Sequence, residues 1–123
     1  KHNGGNIINF TSIYGQYIPR FEIYKNTNMG MPIQYLISKN VIIKMSKYLA
    51  KLCLKYKIRV NCISPGGIFD NQDKKFVKKY SSFCRSNSML SPSDLTGVIV
   101  FLLSDESKKI TGQNIIIDDG FTL

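Results

Sequence analysis

Hydrophobic and polar positions divide the chain into alternating strand-like and helix-like stretches. Asn6 to Thr11 (NIINFT) follows Gly4-Gly5 with apolar residues almost continuous, the pattern of a short strand covered on both faces. Ser12 to Met31 reads as loop, punctuated by Gly15, Pro19, Asn26, Asn28 and Gly30. Gln34 to about Tyr56 contains neither Gly nor Pro and predicts one long helix. Ile58 to Ile63 (IRVNCI) predicts a second buried strand, ended by the turn Ser64-Pro65-Gly66-Gly67. Lys74 to about Cys84 predicts a short helix on a mobile segment. Ser91, Pro92 and Asp94 suit a helix start, as cap, first-turn proline and acidic partner of the dipole. LTGVIVFLLS is expected to form that helix's buried body. Gly112 breaks the chain, and Asn114 to Asp118 (NIIID) predicts a third strand.

Strand, helix, strand, helix, strand in that order implies an α/β fold with a parallel sheet and right-handed crossovers. Three strands make a thin sheet, and an uncovered first edge would be exposed. The expectation is that partner strands are missing from this chain.

Composition narrows the reading. The 123 residues suit one domain at most, and 43% hydrophobic residues support a packed core rather than disorder. No apolar run approaches the roughly 20 residues of a membrane span, and no signal peptide is visible. The chain opens Lys1-His2-Asn3, which reads as a fragment or a processed product. Cys53, Cys62 and Cys84 form no C-x-x-C pair, and His2 is the lone histidine, so a metal site is not expected. Three thiols, two of them in apolar segments, fit a reduced, cytoplasmic protein. The net charge of +9 admits a nucleic-acid partner, but the basic residues are scattered among Asn and Ile rather than interleaved with aromatics. A solvated lysine surface is the expectation, with no nucleic acid and no membrane as partners.

Within the long helix, Lys44, Lys47, Lys51 and Lys55 fall within roughly 80° of arc, a solvated stripe. Lys39 points about 125° and Tyr35 about 165° from the centre of that stripe, toward the packing side. A lysine there must snorkel, pair or work. Tyrosine at i and lysine at i+4 are neighbours on one face. A nearby cation favours the phenolate, and such a phenol can serve as general acid or base toward a carbonyl or alcohol. With seven tyrosines in the chain, Y-x-x-x-K alone is a weak signal. Two further features meet it at one edge of the sheet. Ser12 ends the first strand, and Pro65-Gly66-Gly67-Ile68 follows the second, where ligands of open parallel sheets lie. The glycines there let backbone approach a ligand.

These residues carry a resemblance. GNIINFTSIYG, YLISKNVIIKMSKYLA, IRVNCISPGGI, SPSDLTGVIVFLLSDESKKITGQ and NIIIDDGFTL resemble the carboxyl-terminal half of a short-chain dehydrogenase/reductase. GGIFDNQ and the tail are further similar to bacterial reductases of flagellin glycan modification. The resemblance implies a Rossmann-type doubly wound parallel sheet, second half only, with residues 1–123 as the carboxyl-terminal part of a single NAD(P)-binding domain. It implies Tyr35 as general acid/base, Lys39 as the cation that favours its ionised form and binds the nicotinamide ribose, and Ser12 as the group that polarises the substrate oxygen. Pro65, Gly66, Gly67 and chiefly Ile68 would meet the nicotinamide carboxamide of NAD or NADP. A small-molecule alcohol or carbonyl, on a sugar or sugar nucleotide in the flagellin-modification subgroup, would be the substrate. The helix 34–56 would pair with a second copy, as in relatives.

The chain departs from the pattern in three places. It lacks the Gly-rich pyrophosphate turn, together with the residue that selects NAD or NADP and the family's catalytic asparagine. Ser12 and Tyr35 lie 23 residues apart, wider than in most members, because of PRFEIYKNTNMGM, a candidate substrate-shaping insertion. Asp70 stands where many members have a threonine. Rival readings are a sugar epimerase or dehydratase with the same Tyr/Lys pair, a catalytically silent assembly fragment, and a nucleic-acid binder. Asp73, Asp118 and Asp119 are not expected to share a metal, since adjacent residues on a strand face opposite ways. Tyr14 and Tyr24 read as exposed loop aromatics that either pack locally or touch substrate. Lys74, Lys75, Lys78 and Lys79 read as a solvated helix face, with phosphate binding as the alternative.

Overall fold

A computed structural model describes residues 4–123; Lys1, the lone histidine His2 and Asn3 lie outside the described residues. Three strands form one parallel sheet in the order β1 (Gly5–Phe10), β2 (Ile58–Pro65), β3 (Asn114–Ile117). Register runs from Gly5 opposite Ile58 to Phe10 opposite Ile63, and from Cys62 opposite Asn114 to Pro65 opposite Ile117. The carboxyl ends of all three strands therefore lie together. Helix α1 (Ile33–Cys53) crosses from β1 to β2, and α2 (Lys74–Ser81) and α3 (Thr96–Leu103) lie between β2 and β3. The three-strand α/β expectation is met. The second strand runs two residues further than the pattern suggests, through Pro65, whose missing N–H the sheet does not need.

Local chemistry explains the element ends. The last turn of the long helix tightens into a 3-10 turn at Leu54–Tyr56 and stops at Lys57, in the left-handed region at φ 58°. Asp73 caps α2, its carboxylate accepting the Lys75 and Phe76 N–H groups at 2.7 and 3.2 Å. Ser91 caps the turn as expected and forms a capping box with Asp94, whose carboxylate accepts the Ser91 N–H (2.6 Å) and the Ser91 hydroxyl (2.8 Å). The first turn there is 3-10, Pro92–Leu95, before α3 begins.

Three expectations are corrected. First, β1 is not covered on both faces. It has a single neighbouring strand, and Ile7 and Phe10 are 40% and 48% exposed. Second, the apolar body of α3 is largely open: Leu102 is buried, while Val100, Phe101 and Leu103 are exposed. Both belong to the free edge, where α3 reaches β1 through the Asn6 side chain on the Leu103 carbonyl. Third, Ser12 to Met31 is not plain loop. It holds two 3-10 turns, Ile13–Gly15 and Phe21–Tyr24, and buries Ile13 and Ile23.

Helix α1 presents three faces. Leu36, Ile43, Ser46 and Ala50 pack inward, and Lys44, Lys47, Lys51 and Lys55 face solvent as expected. A third stripe, Ile37, Val41, Tyr48 and Leu52, is apolar and exposed. The main hydrophobic cluster lies at the carboxyl ends of the strands, around Ile13, Ile23, Phe76, Tyr80 and Phe121. The firmest packing thus surrounds the edge where a ligand would bind. Among the described residues no helix is long and apolar enough to cross a membrane.

Candidate active site

The end of β1 is locked to α1 by a short set of bonds. The Thr11 hydroxyl donates to the Lys39 carbonyl at 2.7 Å, and the Asn40 side chain donates to the Gly15 carbonyl at 2.8 Å. Gly15 is required by this approach: a Cβ there would stand 2.8 Å from the Lys39 carbonyl carbon and oxygen. Between these ties Ser12 is buried, and its Oγ accepts the Tyr14 N–H at 3.2 Å, capping the 3-10 turn. A hydroxyl that accepts there still has its own proton to donate.

Tyr35 and Lys39 stand one turn apart on α1, with the Lys39 ammonium 5.2 Å from the centre of the Tyr35 ring. That is cation–π range. Lys39 is half-buried, whereas the four stripe lysines are exposed. Ser12, Tyr35 and Pro65 to Ile68 line one cavity of about 300 Å³. Lys39 does not line that cavity; it touches the site through Tyr35. Ser12, Tyr35 and Pro65 to Ile68 therefore meet at one place, at the carboxyl ends of β1 and β2, with Lys39 behind Tyr35.

The glycines of the Pro-Gly-Gly turn have a different reason from the one the sequence suggests. A Cβ on Gly66 would lie 2.9 Å from the Tyr80 hydroxyl and 3.0 Å from Asp118 Cβ. One on Gly67 would lie 2.8 Å from Met89 Cε and 2.9 Å from Tyr80 Cζ. Internal packing alone demands glycine at both. Their N–H groups are also spent: Gly66 N–H donates to the Ile117 carbonyl at 2.8 Å, Gly67 N–H to the Tyr80 hydroxyl at 2.6 Å. The Gly67 carbonyl accepts the Leu90 N–H. Ile68 differs: its carbonyl accepts from Gln72, but among the hydrogen bonds of the described residues its N–H has no acceptor. A free donor at the cavity wall can meet a ligand oxygen such as that of a carboxamide.

Tyr80 is a residue the sequence reading missed. It is 2% exposed, stacks on Phe121 with ring centres 4.0 Å apart, and fixes the turn through Gly67. Burial pushes its phenol well up from the ordinary value, outweighing the Gly67 N–H that favours the phenolate. The signal available was the i, i+4 pair Phe76/Tyr80 facing inward on a lysine-rich helix. Tyr14 and Tyr24 are not exposed loop aromatics: Tyr14 is buried, Tyr24 half-buried, and both line the same cavity. The Tyr24 hydroxyl donates to that of Tyr14 at 3.3 Å, and burial raises both phenols so that they stay protonated at neutral pH.

The carboxylates have local structural tasks. Asp118 accepts the Gly120 and Thr122 N–H groups and the Thr122 hydroxyl, and Asp119 accepts from Ser86 and pairs with Arg85 at 3.3 Å. The two follow β3 in a turn instead of lying on the strand. Asp70 is exposed and its N–H donates to Gln72. No group of metal-ligating side chains occurs among the described residues, and the three cysteines are free thiols.

A three-strand parallel sheet with flanking helices, carrying a tyrosine–lysine pair and a serine near its carboxyl edge, is a Rossmann-type arrangement. The family model described as enoyl-(acyl carrier protein) reductase matches residues 1–122. The chain belongs to the short-chain dehydrogenase/reductase family. It is 46% identical, over all of its length and 48% of the relative's, to post-translational flagellin modification protein A of Campylobacter coli. It is 33% identical to 7alpha-hydroxysteroid dehydrogenase of Bacteroides fragilis, covering 98% of this chain and 44% of the relative. A short chain dehydrogenase from Leptospira borgpetersenii, solved with bound NAD+, superimposes with a TM-score of 0.89 at 47% identity, over 97% of this chain and 45% of that one. The chain spans about half the length of the curated relatives it matches.

Proposed function

We propose that these residues are the carboxyl-terminal part of a single dinucleotide-binding domain, and that the complete domain interconverts a secondary alcohol and a carbonyl with NAD or NADP. The observation that carries the reading is the Lys39 ammonium 5.2 Å from the Tyr35 ring, with Tyr35 on the wall of a cavity it shares with Ser12 and Ile68. The free edge of β1, with Ile7 and Phe10 exposed, supports further strands there. Those strands would bring the Gly-rich pyrophosphate turn that this stretch lacks.

When bound, the dinucleotide exchanges a hydride with the substrate carbon. The chain's own residues handle position and proton. In oxidation the Tyr35 phenolate takes the alcohol proton, and in reduction the Tyr35 phenol returns one to the carbonyl oxygen. Ser12, whose oxygen already accepts from Tyr14, donates its proton to the substrate oxygen. Lys39, held over the Tyr35 ring, would bind the ribose hydroxyls. The Ile68 N–H would hold the carboxamide.

The similarity to a flagellin modification protein supports a sugar, free or nucleotide-linked, as substrate, in the cytoplasm and in flagellin glycan biosynthesis. The exposed stripe Ile37, Val41, Tyr48 and Leu52 supports pairing of α1 with a second copy. Tyr35→Phe in the full-length protein tests the core of the reading. Turnover followed by nicotinamide absorbance should fall by about 10²- to 10⁴-fold while the protein still folds and still binds NADH. Full activity in that variant would remove Tyr35 from the chemistry and the reading with it.

A further inference from the structure

The insertion Pro19–Met31 is built into the fold. Ile23 is 0% exposed at its centre. The Arg20 guanidinium donates to the Phe121 and Leu123 carbonyls at 3.2 and 2.8 Å and stands 4.4 Å over the Phe83 ring. From α2, the Lys79 ammonium donates to the Glu22 and Lys25 carbonyls. The Tyr24 ring packs 5.3 Å from that of Phe76. A segment tied to α2 and to the chain's last residues is a fixed wall, and it brings Tyr24, Met29 and Met31 to the cavity that holds Ser12 and Tyr35.

The chemistry of that wall is specific. No Lys, Arg, Asp or Glu lines the cavity among the described residues. Tyr24 spends its proton on Tyr14, leaving the Tyr14 proton and the Tyr24 lone pairs for a ligand. Beside these hydroxyls stand thioethers and the Phe76 ring, which suit C–H surface. A ring that carries hydroxyls on its edge and C–H groups on its face matches both.

We propose that Tyr24, acting with Tyr14, is the specificity-determining residue of this site, and that the pair binds a hydroxyl of an uncharged sugar ring next to the reacting carbon. This rests on the Tyr35 reading above, and names the unit of substrate that enters the cavity. Any phosphate or nucleotide the sugar carries stays outside it.

The test uses the full-length enzyme with NAD and NADP. The substrates are a panel of methyl hexopyranosides, hexose phosphates and cyclohexanol, the last a ring of the same size with no neighbouring hydroxyl. Wild type should favour its best sugar over cyclohexanol by at least a hundredfold in kcat/KM. Tyr24→Phe and Tyr14→Phe should each narrow that ratio about tenfold, mainly through KM, the loss falling on the sugar more than on cyclohexanol. Melting temperature and NADH binding are followed to show that both variants are folded. Turnover of cyclohexanol as efficient as that of every sugar overturns the proposal, as does turnover of neither. So does an equal loss on both substrates in Tyr24→Phe. Tyr35→Phe is run on the same panel. If it stays active, the catalytic reading fails, while the sugar-to-cyclohexanol ratio of Tyr24→Phe still reports on the wall.

Discussion

Tyr80 and Gly66 offer a perturbation whose size follows from the geometry. Tyr80→Phe removes the acceptor of the Gly67 N–H, a 2.6 Å bond, while the ring keeps its place against Phe121 at 4.0 Å. Leaving a partly buried donor without a partner costs about 1–2 kcal/mol. Gly66→Ala places a Cβ 2.9 Å from that same hydroxyl and 3.0 and 3.1 Å from Asp118 Cβ and Cα. Overpacking of this kind costs about 1–3 kcal/mol. The two changes share one atom. With the hydroxyl gone, the shortest of the alanine's three contacts disappears, while those to Asp118 remain. The double variant should therefore be less destabilised than the two singles added together, by about 1 kcal/mol. Urea midpoints of the full-length wild type, both singles and the double give the cycle, provided the slopes agree. The NADH dissociation constant should rise in Tyr80→Phe, because the freed Gly67 loosens the turn that presents Ile68. Additive midpoints, within about 0.3 kcal/mol, together with unchanged NADH binding would refute the assignment of Tyr80 as the support of the turn.

Gly15→Ala should cost about 1–3 kcal/mol and lower kcat, since its Cβ would press on the Lys39 carbonyl at 2.8 Å and push α1, with Tyr35, away from Ser12. Thermal melting and steady-state rates check this, and a variant as stable and active as wild type would show that the close approach is dispensable. The Asp119 carboxyl is held below its ordinary value of 3.8, first by the Ser86 hydroxyl, then by the Ser86 N–H, with Arg85 adding to it. Its contribution to stability is thus complete above that value and is lost as pH falls through the lower, folded one. Melting temperature measured from neutral to acid pH should fall less steeply below 3.8 in Asp119→Asn; an unchanged acid limb would count against the tie.

The parts of the site that lie close in sequence, or at strand ends, were legible. Tyr35 and Lys39 are one helical turn apart, and the same arithmetic that grouped Lys44, Lys47, Lys51 and Lys55 into a solvent stripe set Lys39 aside. The parallel sheet followed from alternation of elements. What was hidden depends on contacts between distant residues. Apolar runs cannot tell a strand covered on both faces from an edge strand whose cover is absent, so β1 and α3 were read as more buried than Ile7, Phe10, Val100 and Leu103 are. Glycines at a strand end are equally compatible with a nearby ligand and a nearby side chain. The ring of Tyr80, which decides the matter at Gly66 and Gly67, lies more than a dozen residues on.

The insertion shows the same limit most clearly, and also why it bears on function. Between breakers at Pro19, Asn26, Asn28 and Gly30, the short apolar pair Ile23-Tyr24 has no periodicity to mark it, yet Ile23 is fully buried and Tyr24 reaches the cavity. Its anchors come from elsewhere in the chain: the carbonyls of Phe121 and Leu123 for Arg20, and the ammonium of Lys79 for Glu22 and Lys25. Helical spacing placed Lys79 among solvated lysines, because a pattern along one helix says nothing of carbonyls delivered more than fifty residues upstream. These anchors join the insertion to the two elements, α2 and the tail, that also hold Tyr80 and Phe121. The wall proposed to face the substrate and the turn proposed to face the nicotinamide therefore share one packed cluster. On the proposed function, a change that loosens either Arg20 or Lys79 should therefore act on both substrate selection and cofactor binding.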